Sequence, residues 1–160
     1  MRIDIIPLVF FTDNCYEELI MGDDYINELT YDEKISFLKI FCMLVRVDGY
    51  IETEEVDFLN MVAQKYGIDS SVVIGIINES ENLVLADEVR KISNRTHIMQ
   101  LIKELCFFAN IDENLDEKEV DFIIQIAQLS NIEGEKVVQI NRWVLDSLAL
   151  NKVGKTILGQ

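Results

Sequence analysis

The stretch that decides the fold occurs twice in this chain, as VDGYIETEEVDF at residues 47–58 and as IDENLDEKEVDF at residues 111–122. The second copy follows the first at an offset of 64 residues, and the match continues beyond the quoted stretch in both directions. A match at one fixed offset indicates a structural unit that the chain uses twice. The aligned pairs include Cys42 and Cys106, Asp48 and Asp112, Glu55 and Glu119, Asp57 and Asp121, and Ala63 and Ala127.

The sequence around both copies has a helical pattern. Each copy follows a stretch that is apolar nearly all round, at residues 37–45 and 101–109, as expected of a central helix. Thr30 and Glu33 have the spacing of a capping box, in which each side chain satisfies a free amide at a helix start. The only proline, Pro7, lies before all of these segments, so no later helix is interrupted by proline.

Further signals complete the set of predicted helices. Gly67 and Asn131 stand at equivalent positions just past two helix ends, where a left-handed backbone is often required. The sequence therefore predicts an all-α bundle of seven to eight helices, built from two duplicated helix-turn-helix units. The first central helix is predicted over about residues 31–47, and the second contains the apolar stretch 101–109. Further helices are predicted at about residues 14–21, 53–66, 70–80, 83–92, 117–130 and 134–150.

Composition limits the classes of partner. At 160 residues with 49% hydrophobic residues, the chain can form one compact core. Its 29 acidic and 14 basic residues give a net charge of −15, which repels nucleic-acid phosphates and anionic lipids and attracts cations and basic proteins. We therefore expect a protein partner and no nucleic acid. The alternative is that the acidity only keeps the protein soluble.

Cysteine usage and hydropathy indicate a cytoplasmic protein. The three cysteines, Cys15, Cys42 and Cys106, form no CxxC pair and are predicted to be buried free thiols, which implies a reducing compartment. Asp4 and Pro7 interrupt the apolar run at the start of the chain, so it does not resemble an export signal. No later run reaches the ~18 apolar residues that a membrane-spanning helix needs, so no membrane insertion is expected.

The duplicated motif resembles a known family. A central apolar helix followed by Asp-Gly-x-Ile-x-x-x-Glu, present here at residues 48–55 and more loosely at 112–119, is similar to the tellurite-resistance TerB-like superfamily. The resemblance covers about residues 30–150. It leaves an N-terminal extension, 1–29, which is expected to pack on the bundle, and a C-terminal tail, 151–160, which is expected to be disordered. It implies an all-helical stress-response domain with acidic residues between the repeats that bind a metal. Carried onto this chain, the implied ligands are Asp48, Glu52, Glu55, Asp112, Asp116 and Glu119.

The acidic junction allows three interpretations. It is not an EF-hand, because Tyr50 and Leu59 occupy two of the positions at which a loop beginning at Asp48 would need ligands. The carboxylates could instead converge on one hard cation, with Ca²⁺, Mg²⁺ or Mn²⁺ suited to oxygen ligands. They could equally cap helices, with Thr53 or Asp116 as N-cap, or form an acidic docking surface.

Signals of catalysis are weak, and no enzyme is predicted. The single histidine, His97, is expected to be exposed in the first turn of a helix, and Trp143 is expected to pack in the core. Glycines are scattered and form no phosphate-binding loop. Two function classes follow. One is a TerB-like stress-response module that binds partner proteins and can carry a cation, and the alternative is an acidic, immunity-type inhibitor of a basic protein.

Overall fold

The computed structural model describes residues 24–111 and 116–159, which form an all-α fold with eight α-helices and no β-strand. This confirms the predicted all-α class and the predicted number of helices. Two 3-10 turns, Arg46–Asp48 and Ser80–Asn82, occur between the helices. The predicted helix at 14–21, Cys15 and Asp112 lie outside the described residues. The helices are α1 (Tyr25–Glu28), α2 (Tyr31–Val45), α3 (Thr53–Lys65), α4 (Ser70–Glu79), α5 (Leu85–Arg90), α6 (Arg95–Asn110), α7 (Glu117–Leu129) and α8 (Gly134–Leu158).

Helix α2 lies at the centre of the core. Its start is the predicted capping box: the Glu33 amide donates to the Thr30 hydroxyl at 3.2 Å, and the Thr30 amide donates to the Glu33 carboxylate at 2.9 Å. Phe37 and Phe41 are fully buried on this helix, which contacts α3, α4, α5 and α6. The apolar stretch identified in the sequence is therefore surrounded by other helices, as predicted.

Phe58 of α3 joins the two halves of the bundle. Its ring centroid lies 5.8 Å from that of Phe41 on α2 and 4.6 Å from that of Phe108 on α6. Phe58 is almost completely buried. Aromatic pairs at these separations add to the stabilisation that comes from burial itself. The three rings thus fix α3 against both central helices, and α3 carries the first acidic junction.

The helix bounds repeat at the offset seen in the sequence. Helices α2 and α6 begin at residues 31 and 95, and α3 and α7 run over 53–65 and 117–129. The predicted left-handed residue lies two positions past the end of each of α3 and α7, as Gly67 at φ 70° and Asn131 at φ 53°. The closing hydrogen bonds also match, from the Ile68 amide to the Ala63 carbonyl and from the Ile132 amide to the Ala127 carbonyl, both 2.8 Å.

The last helix differs from its prediction in length and in orientation. Helix α8 continues past the predicted end near residue 150 to Leu158 and closes at Gly159, whose φ is 70°. Gly154 within it costs only about 1 kcal/mol in helix propensity, which is too little to end a helix. The core position predicted for Trp143 is wrong: its side chain is 54% exposed, and the neighbouring Val144 faces the core instead.

The described cysteines are buried as predicted. Cys42 on α2 and Cys106 on α6 are both free thiols inside the core. Burial raises the pKa of Cys106 to about 12, so this thiol stays protonated and unreactive at neutral pH. None of the described helices combines the length and the apolar character needed to cross a membrane.

Candidate functional site

The acidic junctions of the two sequence copies lie side by side. The 3-10 turn Arg46–Asp48 contacts α7, the helix that follows the second copy. The Lys118 ammonium on α7 lies 3.8 Å from an Asp48 carboxylate oxygen, with both side chains partly exposed. At this exposure the ion pair contributes only a few tenths of a kcal/mol. It nevertheless shows that residues far apart in the sequence share one surface.

The first junction is a short loop that leads into α3. Gly49 closes the 3-10 turn at φ 104°, a conformation that glycine adopts without strain. Tyr50 follows with 85% of its side chain exposed. Glu52 then acts as N-cap, and its amide donates to the Glu55 carboxylate at 2.8 Å. The cap is therefore Glu52 rather than the predicted Thr53, which is the first residue of the helix.

The second junction has the same capping arrangement at the start of α7. Asp116 is the N-cap, as predicted, and its carboxylate accepts a hydrogen bond from the Lys118 amide at 2.8 Å. The Asp116 amide in turn donates to the Glu119 carboxylate at 3.4 Å. Four of the six proposed metal ligands, Glu52, Glu55, Asp116 and Glu119, thus serve as helix caps. Such caps each stabilise a helix by about 1 kcal/mol.

The pKa of Glu55 depends on its burial and on the charges around it at the junction. Its side chain is partly buried, and burial is the main cause that raises its pKa to about 6. The hydrogen bond from the Glu52 amide favours the ionised form, but the carboxylates of Glu52, Asp48 and Glu54 oppose it. The balance leaves Glu55 harder to ionise than a free glutamate. Besides the main effect of burial, the carboxylates of Glu52, Asp48 and Glu54 thus make the potential around Glu55 negative.

The described carboxylates of the junction are directed to helix starts. Within residues 24–111 and 116–159 no group of three or more His, Cys, Asp or Glu side chains is placed to hold a metal ion. The capping bonds explain this, because they point Glu55, Asp116 and Glu119 at their own helix starts rather than at a common point. A cation site that includes Asp112 stays a prediction, since that residue lies outside the described part of the chain.

A buried polar pair lies elsewhere in the core and was missed from the sequence. His97 is only 5% exposed, so its predicted exposed position is wrong. Its Nδ1 lies 3.0 Å from a carboxylate oxygen of Glu33, and its Nε2 lies 3.8 Å from an oxygen of Glu28. Burial opposes the ionisation of Glu33, but hydrogen bonds from His97 and Thr30 outweigh it and lower the pKa of Glu33.

The position of this pair follows from the repeat. Glu33 and His97 are 64 residues apart, so they occupy equivalent positions on α2 and α6 and meet where those helices face each other. An ionised carboxylate only accepts hydrogen bonds, and Nδ1 of His97 therefore carries the proton in this pair. The arrangement resembles a structural hydrogen-bonded pair more than a catalytic one, because Glu33 also belongs to the capping box of α2.

A shallow groove is a concave feature of the described surface. It lies between the start of α5 and the end of α7 and has a volume of about 460 Å³. Its wall carries no charged side chain, which makes it unsuited to acid-base or metal chemistry. The lining residues are Val84, Leu85, Ala86, Gln125, Gln128 and Leu129.

Comparisons with known proteins leave the site as the main guide to function. Protein-family models, curated proteins and solved structures were each compared with the chain, and none of them matched.

Proposed function

We propose that this protein is a non-enzymatic binding module, a TerB-like helical scaffold of a stress-response system, whose acidic junction receives a basic surface of a partner protein. The junction surface consists of the exposed residues Asp48, Tyr50, Glu52 and Asp57. A partner that carries lysine or arginine side chains would neutralise a potential that the fold leaves unbalanced.

The equivalent helix bounds support the duplicated TerB-like architecture. Helices α2 and α3 correspond to α6 and α7 at an offset of 64 residues, and both second helices begin with an acidic N-cap and a glutamate in the first turn. A duplicated hairpin places two acidic helix starts on one side of the bundle. This geometry concentrates carboxylates at the junction without requiring a ligand.

The observation that carries the proposal is Tyr50. Its side chain is 85% exposed, and in the sequence it lies between Asp48 and Glu52, which are also exposed. Tyrosine is enriched at the energetic centre of protein interfaces because it buries a large area at a low entropic cost. Surrounding acidic residues would steer a basic partner and fix its orientation. An aromatic anchor within an acidic rim is thus suited to a basic protein surface.

An inhibitor of a basic protein, the alternative function, would use the same chemistry. The net charge of −15 favours it, since such a charge accelerates association with a basic partner. The two functions differ in strength of binding. An inhibitor must hold a single partner tightly enough to block it, whereas a scaffold binds and releases its partners.

Charge-matched variants test the proposal. One variant carries Asp48→Asn, Glu52→Gln and Asp57→Asn, and the control removes three exposed carboxylates elsewhere, through Glu79→Gln, Asp87→Asn and Glu135→Gln. Both variants have the same net charge. Binding of a nona-arginine peptide is measured by calorimetry at about 150 mM salt, where distant surface charges are screened.

The junction variant should bind the peptide about tenfold more weakly than the control variant, which corresponds to about 1.4 kcal/mol. Tyr50→Ala should also weaken binding, because the tyrosine ring stacks on guanidinium groups. Equal losses in the two triple variants would show that the peptide responds only to total charge. That result would overturn the proposed site.

A further inference from the structure

Helix α8 presents an apolar stripe that is not covered by any described helix. The stripe consists of Trp143, Leu150, Val153 and Ile157, whose spacings of seven, three and four residues place them on one side of the helix. Their exposed fractions are 54, 72, 55 and 77%. Val144, the buried residue of α8, points away from the stripe and into the bundle. Single exposed apolar residues are ordinary, but four on one side of a helix mark a surface that receives a partner.

The charge of α8 sets it apart from the rest of the chain. The helix contains four basic and two acidic residues, a net charge of +2, within a protein of net charge −15. The occupant of the stripe should therefore be apolar and acidic. This requirement disfavours the basic partner of the junction surface. It also disfavours a second copy of the chain, because two bodies of −15 repel each other.

We propose that residues 1–23 of the same chain are the occupant of the α8 stripe. Thirteen of these 23 residues are hydrophobic, among them Phe10 and Phe11, and the segment carries one basic and five acidic residues, a net charge of −4. Both properties complement α8. Covalent attachment also gives the segment an effective concentration near the millimolar range, which no free partner of similar chemistry reaches in solution.

The start of the described chain lies within reach of the stripe. Tyr25 is buried at the start of α1, and its hydroxyl donates to a Glu104 carboxylate oxygen at 3.1 Å. Glu104 belongs to α6, the helix that packs along α8. An extended chain of 23 residues spans up to ~75 Å, whereas the stripe from Trp143 to Ile157 is only ~21 Å long. The segment can thus cover the stripe from its anchor at Tyr25.

The proposal does not rest on the function of the acidic junction. The stripe and the junction surface use different elements, α8 in one case and the start of α3 in the other. If the peptide did not bind at the junction, the proposal for the α8 stripe would still stand. If residues 1–23 did not cover the stripe, the proposal for the junction would still stand. The two proposals can therefore fail separately.

Trp143 is the only tryptophan of the chain and reports directly on the stripe. In the full-length protein we expect its fluorescence to be blue-shifted from that of a free indole and several-fold less accessible to acrylamide. The shielding of Trp143 should not depend on protein concentration, and sedimentation velocity should show a monomer. Phe10→Asp combined with Phe11→Asp should shift the emission to the red and restore quenching.

Two further variants separate this effect from unfolding. Leu150→Lys changes an exposed stripe residue and should also release Trp143 to solvent, while circular dichroism stays helical. The matched control combines Ile74→Asp on α4 and Val84→Asp just before α5, two positions exposed to a similar extent outside α8, and should leave the emission unchanged. Solvent-exposed Trp143 in the parent protein would overturn the proposal. The proposal would also be overturned, in favour of a second copy, if the shielding of Trp143 increased with protein concentration and did not change with the Phe10 and Phe11 substitutions.

Discussion

Replacing Glu55 by glutamine should abolish a loss of stability that the parent protein undergoes as the pH rises. The pKa of Glu55 is about 6 in the folded protein, against 4.5 for an ordinary glutamate. Between these values the folded state keeps the proton that the unfolded chain has lost. The raised pKa therefore stabilises the fold below pH 4.5, and this stabilisation disappears as the pH rises through about 6.

The magnitude follows from the size of the shift. A difference of about 1.5 pH units corresponds to about 2 kcal/mol, since one unit is 1.36 kcal/mol. Glu55 is only partly buried, so solvent screening reduces the effect to about 1 kcal/mol. Glutamine keeps the side-chain oxygen that accepts the hydrogen bond from the Glu52 amide. The substitution thus removes the charge and preserves the cap.

Urea unfolding of both proteins between about pH 4.5 and 7.5 measures this effect. The free energy of unfolding of the parent should fall by about 1 kcal/mol relative to Glu55→Gln over that range. Asp69→Asn is the control, because a hydrogen bond with Ser71 lowers the pKa of the Asp69 cap, and its contribution is lost only in stronger acid. A constant difference between the parent and Glu55→Gln would refute the raised pKa of Glu55.

Three other changes have clear expected outcomes. Glu33→Ala removes one half of the α2 capping box and the buried partner of His97. It should lower the free energy of unfolding in urea by about 3 kcal/mol. An effect below about 1 kcal/mol would mean that the pair is not formed. Gly67→Ala should cost about 1–2 kcal/mol because of the left-handed φ of 70°, while Gly75→Ala, inside α4 with open space around it, should stabilise by about 0.5–1 kcal/mol. Equal effects at the two glycines would contradict the assigned backbone. Ca²⁺, Mg²⁺ or Mn²⁺ added to chelator-treated protein should leave the melting temperature unchanged, and a rise of several degrees would instead establish a cation site at the junction.

Features with a local cause were predictable from the sequence. The capping box of Thr30 and Glu33 and the left-handed ends at Gly67 and Asn131 depend on a few neighbouring residues, and all of them formed as predicted. The all-α class followed from the same signals together with the apolar stretches of α2 and α6. Asp116 was also identified as an N-cap, because its position relative to α7 is a local property.

Features that depend on distant contacts were not predictable in the same way. His97 looks like an exposed residue at a helix start until α2 brings Glu33 to within 3.0 Å of it. Trp143 and Val144 differ by one residue and hence by about 100° around the helix, and only the packing of α8 on α6 decides which of them is buried. The six carboxylates of the junction could be recognised as a group. Whether they cap helices or hold a cation depends on their directions, which the sequence does not encode locally.

The most direct test of the junction as a docking site for basic proteins is the carboxyl titration of Glu55. Carbon-13 NMR of the full-length protein would follow this group with and without saturating nona-arginine peptide at about 150 mM salt. Burial is the main cause of the raised pKa of Glu55 and persists in the complex, but bound guanidinium groups offset the smaller contribution from the charges of Glu52, Asp48 and Glu54, so the pKa should fall below about 6 when the peptide binds. An unchanged pKa in the presence of bound peptide would show that basic ligands bind elsewhere and would contradict the proposed function.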